Sequence, residues 1–118
     1  MHYLYQHRRW KGAGKVMLTD GRISQAHEEL IVDKVWEGLY QLTINYESEF
    51  EKGVDYAVVA RSIDGRYYGT VATPAQSTIL ITEIPSRKGQ PKTLEIIISE
   101  IETPTPPPAA IRMILHPC

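Results

Sequence analysis

Cysteine is almost absent from this 118-residue chain, and its one thiol belongs to the last residue, Cys118. A single cysteine excludes an intrachain disulfide and a zinc site built on several thiolates. The chain has no run of about 18 apolar residues, so we expect no membrane-spanning helix and no membrane insertion. Residues 1–11 lack the apolar stretch of a secretory signal peptide, so none is expected. These absences favour one domain that folds without disulfides or thiolate-bound zinc.

Charge of one sign is not in excess either. Thirteen Lys and Arg residues stand against fourteen Asp and Glu residues, which gives a formal net charge of −1. This balance argues against a nucleic-acid binder that relies on bulk positive charge. No nucleic acid is therefore predicted as a partner.

The common catalytic motifs are missing as well. The sequence contains no G-x-S-x-G, H-E-x-x-H, G-x-G-x-x-G or phosphate-binding P-loop pattern. The stretch Lys11-Gly12-Ala13-Gly14-Lys15 is glycine-rich but lacks the P-loop ending, so a turn is predicted there. We therefore predict a protein that is not an enzyme, with no catalytic, cofactor-binding or metal-binding residues.

β-Branched residues are abundant. The chain has 29 Val, Ile and Thr residues and 10 aromatics, against 19 Ala, Leu and Met residues, a composition that suits pleated, half-buried strands. Residues 39–46 show the clearest pattern, with apolar side chains at every second position. Alternation or β-rich runs predict eight short strands, at 13–20, 29–36, 39–46, 54–61, 66–71, 77–84, 93–101 and 110–115.

The segments between these strands carry turn residues. Asp64-Gly65 predicts a hairpin with a type I′ turn, whereas residues 21–28 are polar and predict a loop. Short strands separated by turns favour an all-β fold, an antiparallel β-sandwich of jelly-roll or C1q-like kind. The predicted division is an N-terminal arm at 1–12, the β-sandwich domain at 13–102 and a Pro-rich C-terminal arm at 103–118. Four of the six residues at 103–108 are proline, which predicts a polyproline II spacer.

Two clusters are candidate binding residues. Arg66, Tyr67 and Tyr68 follow the Asp64-Gly65 turn and would suit stacking on a sugar or recognition of a protein, with cross-strand aromatic pairing as the alternative. Arg8, Arg9 and Trp10 lie in a basic, aromatic stretch that would suit an acidic partner or a phosphate. The alternative is a flexible arm with no specific role.

The order of three motifs resembles that of a known family. Residues 38–44, then Phe50, then residues 56–60 follow one another as in the C-terminal knob domains of bacteriophage tail fibres and related virion proteins. A first strand at 14–16 and the Asp20-Gly21 turn fit the same resemblance, which covers roughly residues 13–101. The resemblance implies a compact antiparallel sandwich, usually trimeric, that is displayed on a virion and is not an enzyme.

The predicted function is therefore that of a bacteriophage structural protein, assembled in the host cytoplasm and located in the virion. It would be a homotrimeric knob for tail-fibre receptor binding or capsid attachment, with other virion proteins and a host-surface glycan or protein as partners. Alternatives are a capsid decoration (cement) or head-fibre protein and a lectin-like carbohydrate-binding module. The predicted oligomer interface comprises Tyr56, Val58, Ile97, Ile111, Met113 and Leu115.

Overall fold

The computed structural model describes residues 3–72, 76–85, 87, 89, 92–102 and 109–118. These residues form eight strands and no helix, so no helix among them could span a membrane. The strands are β1 (Arg9–Leu18), β2 (Ile23–Trp36), β3 (Leu39–Ser48), β4 (Lys52–Arg61), β5 (Tyr67–Ala72), β6 (Gln76–Ile84), β7 (Thr93–Glu102) and β8 (Ala109–Pro117).

Each strand pairs antiparallel with the next along the chain, and β1 also pairs with β8. The result is a closed up-and-down barrel, which confirms the predicted all-β class and its eight antiparallel strands. The barrel takes the place of the predicted sandwich. Alternating burial along a strand requires one covered face in either architecture, so the sequence pattern does not distinguish them. The pairing of β1 with β8 is the feature that makes the fold a barrel and not a sandwich.

Both predicted arms contribute strands to the barrel. Residues 9–12 begin β1, and Trp10 pairs with Pro117 at the far end of β8. Residues 109–117 are the strand that closes the barrel, whereas the predicted polyproline spacer at 103–108 lies outside the described residues.

The loop predicted at residues 21–28 is also largely strand, because β2 begins at Ile23. Its inward positions in this stretch are Ser24, Ala26 and Glu28, all buried. Two of these three side chains are polar and the third is small. The alternation that marks a strand in the structure is therefore invisible as a hydrophobic pattern.

Inward side chains fill the barrel. Eight strands enclose a space about wide enough for their own side chains, and the fully buried ones are almost all aliphatic or aromatic. The largest include Trp10, Leu30, Leu42, Ile44, Tyr67, Ile79, Ile81, Leu94, Ile96 and Met113.

The N-terminal residues close one end of this core. Tyr3 and Leu4 are buried, and both donate their backbone N–H groups to Oε2 of Glu83. The Tyr3 hydroxyl donates to the carbonyl oxygens of Ile84 and Thr93, and Trp10 Nε1 donates to the Leu4 carbonyl at 3.1 Å. Residues 3–4 therefore act as a plug that ties the β6–β7 end of the barrel to β1.

The hairpin predicted at Asp64-Gly65 is present with a different turn. Gly65 has a positive φ of 84°, and every described residue with a positive φ is a glycine. A type I′ turn needs two such residues, so Asp64 excludes it. The hydrogen bonds from Ser62 N to the Arg66 carbonyl and from Gly65 N to the Ser62 carbonyl instead define a three-residue loop, in which glycine takes the left-handed position.

Gly12 and Gly14 allow β1 to approach β8 closely. A Cβ atom on Gly12 would overlap the carbonyl oxygen of Ile114, and one on Gly14 would overlap the carbonyl oxygen of Arg112. The glycine-rich stretch that predicted a turn therefore lies within a strand, at the seam where the barrel closes. Glycine at these positions is a requirement of the closure.

We expect Gly14→Ala to destabilise the barrel by about 1–3 kcal/mol, because the added methyl group must displace backbone atoms of β8. Chemical denaturation followed by circular dichroism measures the change. Ala13→Ser, on the exposed face of the same strand, is the matched control and should leave stability nearly unchanged. Wild-type stability in Gly14→Ala would show that the seam does not need a glycine.

Candidate functional site

The tyrosine platform predicted after the β4–β5 turn does not form. Tyr67 is buried inside the barrel, where its ring contacts that of Tyr40 edge-on at a centroid distance of 5.8 Å. Tyr68 points outward and donates its hydroxyl to Asp64 Oδ2 at 2.9 Å, and Arg66 is exposed. Adjacent strand residues face opposite sides of a sheet, so the two tyrosines cannot present one surface.

The basic cluster near the N-terminus divides in the same way. Trp10 is fully buried and belongs to the core. Arg8 forms an ion pair with Asp33, and Arg9 lies 3.6 Å from a carboxylate oxygen of Glu29. These arginines are exposed, but their charges already have acidic partners on β2.

The predicted interface residues fall into two groups. Met113 and Leu115 are fully buried in the barrel, and Ile111 packs against its core. These three side chains are core residues in the closed barrel, because β8 is one of its walls. Tyr56 and Val58 are outward-facing and about half exposed, and Ile97 is partly exposed on β7.

Tyr56 and Val58 belong to a continuous outer surface that carries no charge. After Lys52 at its start, the outward side chains of β4 are Val54, Tyr56, Val58 and Ala60, and the first three of these four are 48%, 52% and 46% exposed. The strand register places uncharged neighbours beside them on β3, β5 and β6. We call this surface the uncharged face, and it comprises Gln41, Thr43, Asn45, Val54, Tyr56, Val58, Ala60, Tyr68, Thr70, Ala72, Thr78 and Leu80.

The other side of the barrel is charged. The outward positions of β1 and β2 include Arg9, Lys11 and Glu29, with Lys11 Nζ 3.6 Å from a Glu29 oxygen. On β7 and β8, Arg112 donates two hydrogen bonds to Glu95 Oε2. Exposed apolar side chains are ordinary when isolated, but a contiguous group without charges is typical of an interaction surface.

A second unusual feature lies inside the barrel, at the end opposite the Tyr3–Leu4 plug. Glu28, Asp55 and Glu100 occupy inward positions there, and Glu28 is only 5% exposed. Tyr46 is also inward-facing, and its hydroxyl donates to Glu51 Oε1 at 3.1 Å. We call these five residues the acidic end.

The strand register explains how Glu28 reaches its position. Gly12, Glu28, Tyr46 and Gly53 lie directly opposite one another across β1, β2, β3 and β4. Gly53 on β4 leaves room for the Tyr46 side chain, whose hydroxyl oxygen would lie 3.0 Å from a Cβ atom at that position. The β3–β4 turn that carries Glu51 is held by Ser48, whose hydroxyl accepts the Glu51 N–H, and by Ser24, whose hydroxyl accepts the Glu49 N–H.

Burial sets the electrostatics of the acidic end. Loss of solvent raises the pKa of Glu28 to about 8, and the nearby Asp55 carboxylate adds to the rise. The pKa values of Asp55 and Glu100 are also raised, first by burial and then by the charge of Glu51. Burial likewise raises the pKa of the Tyr46 hydroxyl, with further contributions from Asp55 and Glu51. These groups repel one another when ionised.

An open groove of about 670 Å³ runs across the outer surface of β1–β4, over the row Gly12, Glu28, Tyr46 and Gly53. Its floor contains Gly12, Glu28, Tyr46 and Gly53, and its sides are outward residues of β1–β4. Lys11, His27, Glu29, Asn45, Glu47 and Lys52 are the polar residues on those sides. The groove therefore lies on the outer surface of the barrel, on the opposite side of the wall from the inward-facing Glu28 side chain.

The acidic end escaped the sequence analysis because its residues come from four separate strands. A signal existed for Glu28, which follows Ser24 and Ala26 and precedes Leu30 and Val32 at a spacing of two. Extending the alternation of β2 backwards would have placed this carboxylate inside. Its neighbours Asp55 and Glu100 become visible only through the register.

Two further findings bound the chemistry. Within the described ranges, no three His, Cys, Asp or Glu residues are arranged to hold a metal ion. Comparison of the chain with known proteins finds no matching family, no matching curated protein and no matching solved structure.

We expect the stability of the barrel to fall as pH rises through Glu28's titration. Glu28 has a raised pKa in the folded state, so its stabilising protonated form is fully present below about pH 4.5, the ordinary pKa. This contribution declines up to about pH 8, and the total is a few kcal/mol. Glu28→Gln should remove most of the decline, as measured by chemical denaturation between pH 5 and pH 8.5.

Glu47→Gln is the matched control, since Glu47 is an exposed carboxylate on the neighbouring strand. Its stability should follow the wild-type pH profile. Parallel profiles for wild type and Glu28→Gln would mean that Glu28 ionises freely in the folded barrel.

Proposed function

We propose that this protein is a non-enzymatic assembly module that associates with further copies of itself through the uncharged face. The observation that carries the proposal is the row of half-exposed apolar side chains Val54, Tyr56 and Val58 on β4. Burying them against a partner would remove apolar surface from water, which is the main driving force of association.

The chemistry of the face favours a second copy as the partner. In a two-fold symmetric dimer the same patch on both copies comes together, so a patch with net charge of one sign would repel its counterpart. Outward positions 54–60 of β4 and the positions beside them on β3, β5 and β6 contain no such charge, whereas Lys52 and Glu47 lie at the edge of the face. The aromatic rings of Tyr56 and Tyr68 supply large contact areas of the kind enriched at interfaces.

Barrel closure restricts how copies can meet. An open sheet can associate through its edge strands, but every strand here has a neighbour on both sides. Self-association must therefore use a face or an end of the barrel. The uncharged face contains four of the exposed large apolar side chains among the described residues, Val54, Tyr56, Val58 and Tyr68.

The proposed biological setting is a virion, as a tail-fibre knob or as a capsid decoration or head-fibre protein. It rests on the resemblance of residues 38–60 to phage knob domains, which also suggests a trimer. The lectin-like alternative depended on Arg66, Tyr67 and Tyr68 as one platform. Burial of Tyr67 removes that support.

Light scattering coupled to size exclusion tests the self-association. With reductant present to keep the exposed Cys118 thiol reduced, we expect a stable species of two or three times 13.4 kDa. The Tyr56→Glu and Val58→Glu double variant should be monomeric at the same concentrations, because burying two carboxylates in the contact is unfavourable.

Ile23→Glu is the matched control, since Ile23 is 53% exposed on β2, outside the uncharged face. It should assemble as the wild type does. A wild-type protein that is monomeric at every concentration, or a double variant that assembles normally, would contradict the proposal.

A further inference from the structure

Exposed apolar side chains occupy two neighbouring turns at the plugged end of the barrel. Trp36, the last residue of β2, is 74% exposed, and Ile63, in the β4–β5 loop, is fully exposed. The turns are neighbours, because Arg61 donates its backbone N–H to the Gly38 carbonyl at 2.8 Å. The Arg61 guanidinium also lies 3.6 Å from a carboxylate oxygen of Glu37. The most exposed aromatic and the most exposed aliphatic side chain among the described residues are therefore on adjoining turns.

The β4–β5 loop does not need an apolar side chain at Ile63. Asp64 Oδ1 accepts the Arg66 N–H at 2.9 Å, and the Ser62 hydroxyl accepts the Asp64 N–H at 3.2 Å. Gly65 supplies the positive φ. Turn positions of this kind favour small or polar residues, and exposing an apolar side chain to water is unfavourable. Ile63 therefore has no role in forming the loop that carries it.

Trp36 lies just beyond a β-bulge. The register of β2 against β3 shifts between Lys34 and Trp36, so Val35 is an extra residue on β2. Bulges change the direction of neighbouring side chains, and Val35 and Trp36 are both exposed. The other tryptophan of the chain, Trp10, is fully buried. The two tryptophans therefore occupy opposite environments.

Basic residues surround the two turns. We call this surface the basic end, and it comprises Lys34, Arg61, Arg66, Arg87 and Lys92, which lie in or beside the turns at the plugged end. Glu37 lies within ion-pair distance of both Lys34 and Arg61, and Asp33 is paired with Arg8. Asp64 is the other acidic residue of these turns. Positive charge is therefore in excess around Trp36 and Ile63.

We propose that the basic end docks onto the surface of an anionic lipid bilayer, with Trp36 and Ile63 entering the interface. Tryptophan is enriched at the headgroup level, and buried apolar area and attraction to anionic lipids both strengthen binding there. The charged pair Glu37–Arg61 links the two turns. Headgroups and water can solvate this pair, whereas a packed protein interface would bury it at a cost.

This contact uses an end of the barrel and is independent of self-association through the uncharged face. It differs from the sequence expectation of no membrane insertion, because the side chains of two turns enter the interface. Sequence reasoning missed it because Trp36 and Ile63 come from separate hairpins. The hydrogen bond between Arg61 and Gly38 is what brings those hairpins together.

Co-sedimentation of the full chain with sucrose-loaded vesicles tests the docking. We expect binding to vesicles of phosphatidylcholine mixed with phosphatidylserine, and binding about tenfold weaker or more to phosphatidylcholine alone. Added salt should weaken the binding, because it screens the attraction. The Trp36→Ser and Ile63→Ser double variant should bind about tenfold more weakly or worse, since its apolar contact is lost.

The opposite end of the barrel provides the matched control. Met17 and Ile23 face each other across β1 and β2 there, and each is 53% exposed. The Met17→Ser and Ile23→Ser double variant should bind vesicles as the wild type does. For charge, Arg66→Glu should weaken binding more than Lys15→Glu, an equal change in net charge at an exposed position within β1.

Tryptophan fluorescence measures the contact directly. Trp10 is buried, so the exposed Trp36 is the residue whose environment changes on docking. Emission should shift to shorter wavelength when vesicles containing phosphatidylserine are added. Trp36→Phe should still bind these vesicles but should show no such shift.

Circular dichroism shows whether each variant is folded before it is tested. The proposal is wrong if the wild type does not bind vesicles containing phosphatidylserine, or binds phosphatidylcholine alone equally well. It is also wrong if the Trp36→Ser and Ile63→Ser double variant binds as tightly as the wild type, or if the emission of bound wild-type protein is unchanged. A monomeric Tyr56→Glu and Val58→Glu variant should still bind, which separates this proposal from self-association.

Discussion

The pairing of β1 with β8 joins the first strand of the chain to the last, and the rest of the structure depends on it. Without this pairing the eight strands would form an open sheet with two exposed edges. The pairing requires β1 to lie against β8 at Gly12 and Gly14, where any side chain would overlap the β8 backbone. Closure then defines an interior, and it gives every inward residue a fixed position relative to both ends.

The two ends of the barrel interior differ in how their carboxyl groups are hydrogen-bonded. At one end the chain supplies its own plug, in which Glu83 accepts hydrogen bonds from the Tyr3 and Leu4 N–H groups. The Oε2 atom of this partly buried carboxylate is satisfied by those two donors. At the other end Glu28 Oε1 lacks a donor among the described residues. The same functional group is therefore a structural anchor at one end and a source of instability at the other.

Much of the strand pattern was predictable, because alternation is a local property of the sequence. The strand at residues 39–46 was evident from Tyr40, Leu42 and Ile44, and the structure extends it only to Ser48. The closure was not predictable, since it depends on contacts between residues about 100 positions apart, such as Gly12 and Leu115. Trp10 and Met113 looked like surface residues for the same reason. They lie near the ends of the chain, and only the β1–β8 pairing buries them.

Barrel closure also determines where interaction can occur. With no edge strands to pair, a partner can contact only an outer face or an end of the barrel. The described residues place an unusual group of side chains on one face and another at one end. Half-exposed apolar side chains lie together on β4, and ionisable groups lie together inside one end of the barrel. Both arrangements cost stability in the isolated chain, and perturbed ionisable groups of this kind concentrate at functional sites. The face suits an apolar partner, whereas the acidic end makes the stability of the barrel depend on pH.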